Sequence, residues 1–455
     1  MSTRTKLFGA AVSLIAGALM VSGLVVNTPS ALAEDDSKLR KALAVAQDEA
    51  PAKLQTAFEQ SGGRTWTTHP QSLAFYRALD AATDKVKVTN IGRTIQGRPL
   101  QLVAVGAPAP KSQAEAAAGS VALFTCSVHG NENSGRESCM QLARDLALST
   151  DSAVTRMLER TTMLFVSVNP DGWMANTRGN ANGVDVNRDY MGGETPEARA
   201  VLKVIRDWKP DVLNDLHEYG TNEYYNTALL HLWPRNRNVD PEIHKLSFEM
   251  SNDYSSRQAT SQGHSSGIYG HFMKDGKPFL QVAGDGQARI LRNYAGLVNS
   301  VGMLSEAAND PLTPQEAADP AVLNNRRVAV NYASALGSVQ MVMENRQELI
   351  TQTAAAATRN TDAGRTGAGV VYFGGQDDMI PTDSDQVEPE PMCAYRVSTE
   401  EFTSVRTVLA LHGIKTTATS GGRLVSMAQP TRGLIPLLFD ERSEYRIAEG
   451  TPVSC

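Results

Sequence analysis

The sequence predicts an α/β protein built on a sheet with helices on both faces, followed by a small α+β or β-rich C-terminal domain. Two observations lead to this fold class. Between residues 86 and 306, short apolar runs alternate with amphipathic stretches, and strands separated by helices are typical of such a sheet. After residue 365, short strand-like runs surround a single helical stretch.

Six apolar runs are predicted to be strands because they are short and separated by other patterns. They cover residues 102–105, 121–128, 162–168, 211–216, 278–282 and 301–305. Helices are predicted where apolar residues recur at helical spacing or where the chain is rich in alanine. These stretches are 133–148, 197–208, 314 to about 359, and 399–412.

The composition excludes several classes of protein. The chain of 455 residues has 43 basic and 49 acidic side chains and a net charge of −6, so it lacks the basic character of nucleic-acid-binding proteins. With 41 % hydrophobic and 20 % charged residues, it can bury a sizeable core, which excludes wholesale disorder. Its four cysteines are too few for a fold held together mainly by disulfides.

The first 33 residues are predicted to be a signal peptide rather than part of the fold. Arg4 and Lys6 give a positive start, the apolar run 7–26 follows, and Ala31 and Ala33 put small residues at a cleavage site. An uncleaved membrane anchor is the alternative, because the run is long enough to span a bilayer. Cleavage predicts a secreted or cell-envelope protein without stable membrane insertion, since no later run is long and apolar enough.

Three residues suggest a zinc site at the ends of predicted strands. His129 and Glu132 directly follow the strand 121–128, and His217 closes the apolar run 211–216. Ligands of α/β proteins bind at the carboxyl ends of the strands. A hydrolytic zinc site needs three protein ligands from His and Asp or Glu and one open position for water. We therefore predict His129, Glu132 and His217 as zinc ligands.

Four short motifs between residues 80 and 310 occur together and in one order. They are His129-x-x-Glu132, the turn Asn169-Pro170-Asp171-Gly172, the run Arg178…Gly183-x-Asp185-x-Asn187-Arg188, and His217. In this combination the chain resembles the zinc metallocarboxypeptidases of the carboxypeptidase A/B/D type. The resemblance implies a twisted mixed sheet, one Zn²⁺ per chain, and a peptide substrate with a free C-terminal carboxylate.

The resemblance also implies a glutamate that serves as general base and later as general acid. Glu306 is our candidate because it follows the apolar run 301–305, where the family has its catalytic strand. Glu218 and Asp285 compete for this role. Glu218 is adjacent to His217 and points the other way if the chain is extended there.

The resemblance assigns the remaining site residues to substrate binding and to the transition state. Asn187 and Arg188 match the pair that binds the terminal carboxylate, which a planar guanidinium can grip with two hydrogen bonds. Arg178 matches the arginine that stabilises the oxyanion. The family also covers the bound terminus with a tyrosine. Tyr269 is our candidate, and Tyr254 and Tyr294 remain open.

Arg289 and Arg292 precede the predicted catalytic strand, near where the family has its side-chain pocket. If one of them lines that pocket, acidic substrates are expected. The alternative is that both are ion-paired parts of the scaffold.

The four cysteines of an exported protein allow two disulfides and three connectivities. We favour Cys126–Cys139, which would brace the zinc loop, and Cys393–Cys455, which would tie down the last residue. Two buried thiols are the alternative for the first pair.

Together these features predict an exported zinc carboxypeptidase that hydrolyses the C-terminal peptide bond. The alternatives are a zinc amidase or deacylase acting on cell-envelope peptides and a catalytically inactive peptide-binding relative. The oligomeric state is not predicted. The expected parts are the signal peptide 1–33, an N-terminal extension or pro-segment 34–70, a carboxypeptidase-like catalytic domain 71–315, a long helical segment 316–364 and a C-terminal accessory domain 365–455.

Overall fold

The computed structural model describes residues 29–116, 119–270, 272–274, 277–279, 286–375, 382–389 and 391–455. Residues 1–28 of the predicted signal peptide lie outside the described residues, as do the candidate base Asp285 and residues 280–282 of one predicted strand.

The strands are β1 (Val86–Arg93), β2 (Pro99–Val105), β3 (Ser120–Cys126), β4 (Thr161–Ser167), β5 (Val212–Tyr219), β6 (Leu229–Leu232), β7 (Ser266–Ile268), β8 (Phe272–Lys274), β9 (Lys277–Phe279), β10 (Val301–Ala308), β11 (Val371–Tyr372), β12 (Val387–Glu388), β13 (Ala394–Ser398), β14 (Thr417–Thr419), β15 (Gly422–Ser426) and β16 (Gly450–Val453).

The α-helices are α1 (Pro29–Asp48), α2 (Ala57–Gln60), α3 (His69–Ala82), α4 (Gln113–Ala116), α5 (Ser134–Leu148), α6 (Ser152–Leu158), α7 (Pro170–Ala175), α8 (Pro196–Trp208), α9 (Pro241–Glu249), α10 (Arg257–Ser261), α11 (Leu291–Leu297), α12 (Pro314–Ala318), α13 (Pro320–Thr366), α14 (Thr399–Leu411) and α15 (Ile435–Phe439). A π-helical turn, Met250–Ser256, joins α9 to α10.

An eight-stranded mixed sheet forms the centre of the molecule, with the strand order β1-β2-β4-β3-β5-β10-β6-β7. The four inner strands β4, β3, β5 and β10 are parallel, whereas β1, β2 and β6 make antiparallel pairs. Every residue of β3, β5 and β10 is buried, as expected for parallel strands that are covered on both faces. The predicted mixed α/β sheet is confirmed.

Different helices cover the two faces of this sheet. On one face, the amide of Asn214 in β5 donates to Ser338 Oγ in α13 at 3.0 Å. On the other face, Gly302 of β10 lies so close to α11 that an added Cβ would be 3.0 Å from Ala295 Cβ. Side chains alternate across a strand, so His217 and Glu306 both point to the α11 side.

The long helix α13 fastens the sheet to the rest of the chain. It has 47 residues, begins with the side chain of Asp319 capping Ala321, and has a kink at Asn345. The hydroxyl of Ser334 lies at hydrogen-bond distance from Ser255, at 2.6 Å, and also from Ser305. The Ala-rich stretch predicted as one helix is therefore the short α12 followed by α13, which packs directly on the sheet.

The chain before β1 packs against the catalytic-domain helix α5. Leu39 and Leu43 of α1 are buried, and Glu59 accepts a hydrogen bond from the buried Arg144 of α5 at 2.7 Å. The predicted cleavage point after Ala33 falls inside α1. No helix among the described residues is long and apolar enough to cross a membrane.

Residues 365–455, which we call the C-terminal unit, form a second sheet with the order β14-β15-β13-β16 next to α14. The short strands and α14 agree with the prediction, whereas the short helix α15 was not predicted. A disulfide joins Cys393 to Cys455, and another joins Cys126 at the end of β3 to Cys139 in α5. Both favoured pairings are confirmed.

Candidate active site

The three predicted zinc ligands meet at one point. His129 and Glu132 lie in the loop that follows β3, and His217 lies within β5. Glu132 Oε1 is 2.6 Å from His129 Nδ1, Glu132 Oε2 is 2.9 Å from His217 Nδ1, and the two Nδ1 atoms are 3.1 Å apart. All three side chains are buried, and their ligand atoms lie within 4.8 Å of one another.

A carboxylate stands behind each of the two histidines. Asp185 Oδ1 is 3.1 Å from His129 Nε2, and Asp215 Oδ2 is 2.8 Å from His217 Nε2. Such carboxylates orient the imidazole and leave the other nitrogen to the metal. Neither role was predicted from the sequence. Asp215 precedes His217 by two positions, the spacing that puts both on one face of a strand, and this signal was available.

The charges of the cluster fit a bound cation. Burial opposes a charge on His217, but Asp215 and Glu132 outweigh this effect and raise its pKa well above the usual value. Burial likewise opposes a charge on His129, while Glu132 and Asp185 raise its pKa. A site that favours a positive charge on buried imidazole also favours a metal ion. Two imidazoles and one carboxylate are a ligand set of catalytic zinc, which keeps a further position for water.

The cluster opens into a cavity of about 300 Å³. His129 and His217 line this cavity. Seven other residues that the sequence singled out line it as well: Arg178, Asn187, Arg188, Glu218, Tyr269, Arg292 and Glu306.

Glu306 is the neighbour of His217 in the sheet, because β10 pairs with β5 so that these two residues are opposite each other. Its side chain is 9 % exposed, and burial raises its pKa to about 7. Its Oε2 atom is buried and has no hydrogen-bond partner among the residues that the structure describes. A carboxylate oxygen left without a partner at the cavity is available to exchange a proton.

Glu218, one of the two competing carboxylates, is engaged on the other face of the sheet. It accepts a hydrogen bond from the backbone N–H of Ser134 at 2.7 Å and forms an ion pair with Arg327 of α13. The geometry therefore favours Glu306 over Glu218 as a proton acceptor in the cavity.

Arg178 lies at the edge of the metal cluster. Its Nη1 is 3.2 Å from His129 Nδ1 and 3.6 Å from Glu132 Oε1, and its side chain is 51 % exposed. The turn at residues 169–172 positions the loop of Arg178, because the amide of Asn169 donates to the carbonyl of Arg178 at 3.3 Å.

Closely packed glycines hold the loop of Arg178 against the loop that carries His129 and Glu132. A Cβ on Gly130 would lie 2.0 Å from the carbonyl carbon of Gly172, and a Cβ on Gly172 would lie 2.4 Å from the oxygen of Gly179. Only glycine fits this stack.

Asn187 and Arg188 have different hydrogen-bond partners and different exposure. The amide of Asn187 donates to Asp215 Oδ2, the carboxylate behind His217, at 3.4 Å, and its oxygen accepts a hydrogen bond from the backbone N–H of Leu291 at 2.9 Å. Asn187 thus also braces the metal cluster. Arg188 is 30 % exposed, and its guanidinium donates to the carbonyl of Asn187 at 2.8 Å.

Of the three candidate tyrosines, Tyr269 alone lines the cavity. Its ring packs edge-on against Tyr225 with the centroids 4.8 Å apart, and burial raises the pKa of its hydroxyl. Tyr254 instead donates to Glu344 of α13, and the hydroxyl of Tyr294 pairs with His412. Tyr225 lines the cavity as well and was not identified from the sequence.

The two candidate pocket arginines have different surroundings. Arg292 is 1 % exposed and lines the cavity next to Ile290. The guanidinium of Arg289 lies 3.6 Å from the centroid of the Tyr445 ring in the C-terminal unit. Arg292 is therefore the arginine that can influence a substrate side chain directly.

Comparison with known proteins agrees with this geometry. Residues 73–288 match the family described as zinc carboxypeptidase. Carboxypeptidase SOL1 of Arabidopsis thaliana is 28 % identical over 144 residues, which cover 29 % of this chain and 28 % of that protein. The carboxypeptidase N catalytic chain of Rattus norvegicus is 30 % identical over 132 residues, which cover 25 % of this chain and 28 % of that protein.

Among solved structures, a metallo-carboxypeptidase from Burkholderia cenocepacia is 18 % identical, covers 61 % of this chain and 69 % of its own, and has a TM-score of 0.48. The matched region of this chain spans little more than a quarter of the length of the curated relatives named above.

The buried His-Glu-His cluster and the adjacent carboxylate define a site of the zinc-hydrolase class. Within that class, the chain resembles the zinc carboxypeptidases across residues 73–288, and zinc is the metal of that family.

Proposed function

We propose that this protein is an exported, zinc-dependent carboxypeptidase that removes the C-terminal residue of a peptide. The observation that carries the proposal is the meeting of the zinc-ligand cluster, a buried glutamate and three arginines in one cavity of about 300 Å³. The arginines are Arg178, Arg188 and Arg292. Export is supported by the two disulfides, since such bonds persist mainly in oxidising compartments.

His129, Glu132 and His217 would hold the zinc ion. Zinc, when bound, lowers the pKa of a water molecule and polarises the scissile carbonyl. Glu306 accepts a proton from the attacking water and returns it to the amine as the carbon–nitrogen bond breaks. Arg178, beside His129, donates to the oxygen on which negative charge develops.

Two cavity arginines, Arg188 and Arg292, would recognise the C-terminal residue of the substrate. Arg188 binds the terminal carboxylate, for which its planar guanidinium is suited, and Asn187 holds the adjoining backbone while it also steadies His217. Tyr269 closes over the bound residue. Arg292 lies where the last side chain of the substrate enters, so peptides ending in an acidic residue are the preferred substrates.

The test uses the full-length, zinc-loaded protein and pairs of peptides that differ only in a free or amidated C-terminus. We expect chelator-sensitive loss of single residues from the free termini only, fastest for peptides that end in glutamate. Glu306→Gln should retain one zinc per chain and lose about 10²- to 10⁴-fold in kcat, the usual size of a general acid–base contribution.

Glu218→Gln is the matched control, because it changes another buried glutamate beside the zinc ligands, whose carboxylate is already engaged by the backbone of Ser134 and by Arg327. It should keep its turnover. Equal cleavage of free and amidated peptides would instead favour the amidase or deacylase. Zinc-dependent peptide binding without cleavage would favour an inactive relative.

A further inference from the structure

Two chain segments carry arginines of the cavity outside the metal cluster. Residues 187–191 include Arg188, and residues 289–294 include Arg292. We call these two segments together the arginine wall. Neither is a strand of the central sheet, so their position depends on what packs against them.

Hydrogen bonds join the two segments to each other. The backbone N–H of Tyr190 donates to the carbonyl of Arg289 at 3.2 Å, and the backbone N–H of Leu291 donates to Asn187 Oδ1 at 2.9 Å. A displacement of one segment is therefore transmitted to the other.

His412, at the end of α14 in the C-terminal unit, bonds to both segments. Its Nε2 is 2.9 Å from the carbonyl oxygen of Met191, and its Nδ1 is 2.9 Å from the hydroxyl of Tyr294. Burial lowers the pKa of His412 to about 4, so the ring is neutral at pH 7. A neutral ring can donate from Nε2 to the carbonyl and accept at Nδ1 from the hydroxyl.

Tyr445 of the C-terminal unit makes a second contact with the wall. Its half-buried ring lies 3.6 Å below the guanidinium of Arg289, a close cation–π arrangement. Arg289 also donates from Nε to Gln287 Oε1 at 2.8 Å, which restrains the guanidinium near the ring.

From these contacts we propose that the C-terminal unit is a positioning element of the active site, in which His412 and Tyr445 hold the arginine wall in the arrangement that binds the substrate's C-terminal residue. This inference rests on the proposed function. The zinc ligands and Glu306 belong to β5, β10 and the loop after β3, which α5 and α13 support. Asn187 links the wall to this cluster, but the proposed ligands themselves belong to these other elements. Loss of the contacts that His412 and Tyr445 make should therefore weaken substrate binding strongly and affect zinc binding and proton transfer little.

The experiment compares Tyr445→Ala with Tyr445→Phe, which keeps the aromatic ring under Arg289. With an acylated dipeptide ending in glutamate as the probe, we expect Tyr445→Ala to raise KM about tenfold, because small misplacements of binding groups are costly. Its kcat should stay within about twofold of the unmodified protein, with one zinc per chain. Tyr445→Phe should restore the low KM.

Phe402→Ala is the matched control. Phe402 lies in the same unit under the guanidinium of Arg423, at 4.8 Å, so the substitution removes the same kind of contact away from the wall. Its KM should be unchanged. An unchanged KM in Tyr445→Ala, or an equal rise in KM in Phe402→Ala, would overturn the inference.

A second pair of variants tests the histidine. His412→Leu removes both hydrogen bonds to the wall, whereas His412→Gln keeps a donor and an acceptor and should restore part of the affinity. Binding of the same dipeptide is also titrated directly in the Glu306→Gln background. If the unmodified enzyme cleaves nothing, the proposed function fails, and the binding constants still decide whether the C-terminal unit controls affinity.

Discussion

Single buried carboxylates determine how this site holds its metal. Asp215 accepts a hydrogen bond from the hydroxyl of Thr125 at 2.6 Å, so its orientation toward His217 is fixed on both sides. His217, the proposed ligand, is therefore held in one orientation, and Asp215 would support a bound metal through it.

Asp215→Asn should lower zinc affinity about 10- to 100-fold, the usual effect of losing a carboxylate behind a histidine ligand. The measurement is competition with a chromophoric chelator at pH 7.5. Asp240→Asn serves as the control, because Asp240 is a buried carboxylate that instead caps α9 and pairs with Arg359. Equal zinc affinity in the two variants would contradict a role for Asp215.

Glu137 in α5 predicts a pH dependence of stability. Its Oε1 accepts a hydrogen bond from the backbone N–H of Thr67 at 2.8 Å, and burial raises its pKa from 4.5 to about 7. The folded state thus favours the neutral acid. This contribution to stability is complete below pH 4.5 and is lost as the pH rises through 7.

Glu137→Gln removes the ionisation and keeps an acceptor for Thr67. In metal-free protein at pH 8.5, we expect it to raise the free energy of unfolding by about 3 kcal/mol, which corresponds to a pKa raised from 4.5 to about 7. At pH 4 the variant and the unmodified protein should differ little. Urea titrations at the two pH values measure this, and a gain of the same size at both would rule out ionisation as the cause.

At the scale of elements, the contact between α13 and the π-helical turn depends on a missing side chain. A Cβ on Gly337 would lie 2.6 Å from Ser255 Cα and 2.7 Å from the carbonyl carbon of Tyr254. The helix and the turn therefore touch backbone to backbone, which allows Ser255 to reach Ser334.

Gly337→Ala tests this contact by the sign of its effect. On helix propensity alone, alanine would stabilise α13 by about 1 kcal/mol. Here we expect a loss of about 1 to 3 kcal/mol, because the backbones must move apart. Thr358→Ala, at an exposed position of the same helix, should be neutral or slightly stabilising in the same denaturant titration.

Some secondary-structure elements could be predicted from the sequence, and others could not. The inner strands β3, β4, β5 and β10 were predicted because strands covered on both faces are continuous apolar runs. β7 has three residues of intermediate burial and was not predicted, since such a short run carries no pattern. Strand order was not predicted, because it depends on contacts far apart in the chain.

Some residues of the candidate site could be predicted from the sequence and others could not. The zinc ligands stand in the motifs that carry the family resemblance, and the resemblance in turn indicated Glu306, so their meeting could be predicted. His412 and Tyr294 are 118 residues apart, and no local pattern relates them. The contribution of the C-terminal unit became visible only in three dimensions.

At the scale of the whole molecule, the catalytic sheet and the C-terminal unit share one hydrophobic core. A continuous cluster of buried side chains extends from Leu39 to Ala448. The Cys393–Cys455 disulfide closes a loop with a sequence separation of 62 inside the C-terminal unit. Because the core is continuous, the two parts should unfold together.

We expect a single calorimetric transition for the unmodified protein. The double variant Cys393→Ser/Cys455→Ser should lose about 2 to 4 kcal/mol of stability, as is usual when a disulfide is removed, and still unfold in one transition. Two separate transitions in the unmodified protein would show that the C-terminal unit is thermodynamically independent.

The place of α13 in the chain also determines how much of the sequence the site needs. The amide of Asn331 in this helix donates to the carbonyl of His217 at 3.2 Å and to Ser134 Oγ at 2.8 Å. All three zinc ligands and Glu306 precede it in the sequence, so a nascent chain that ends before Asn331 has every ligand but an uncovered sheet. The metal site therefore has its final support only in a chain that contains α13.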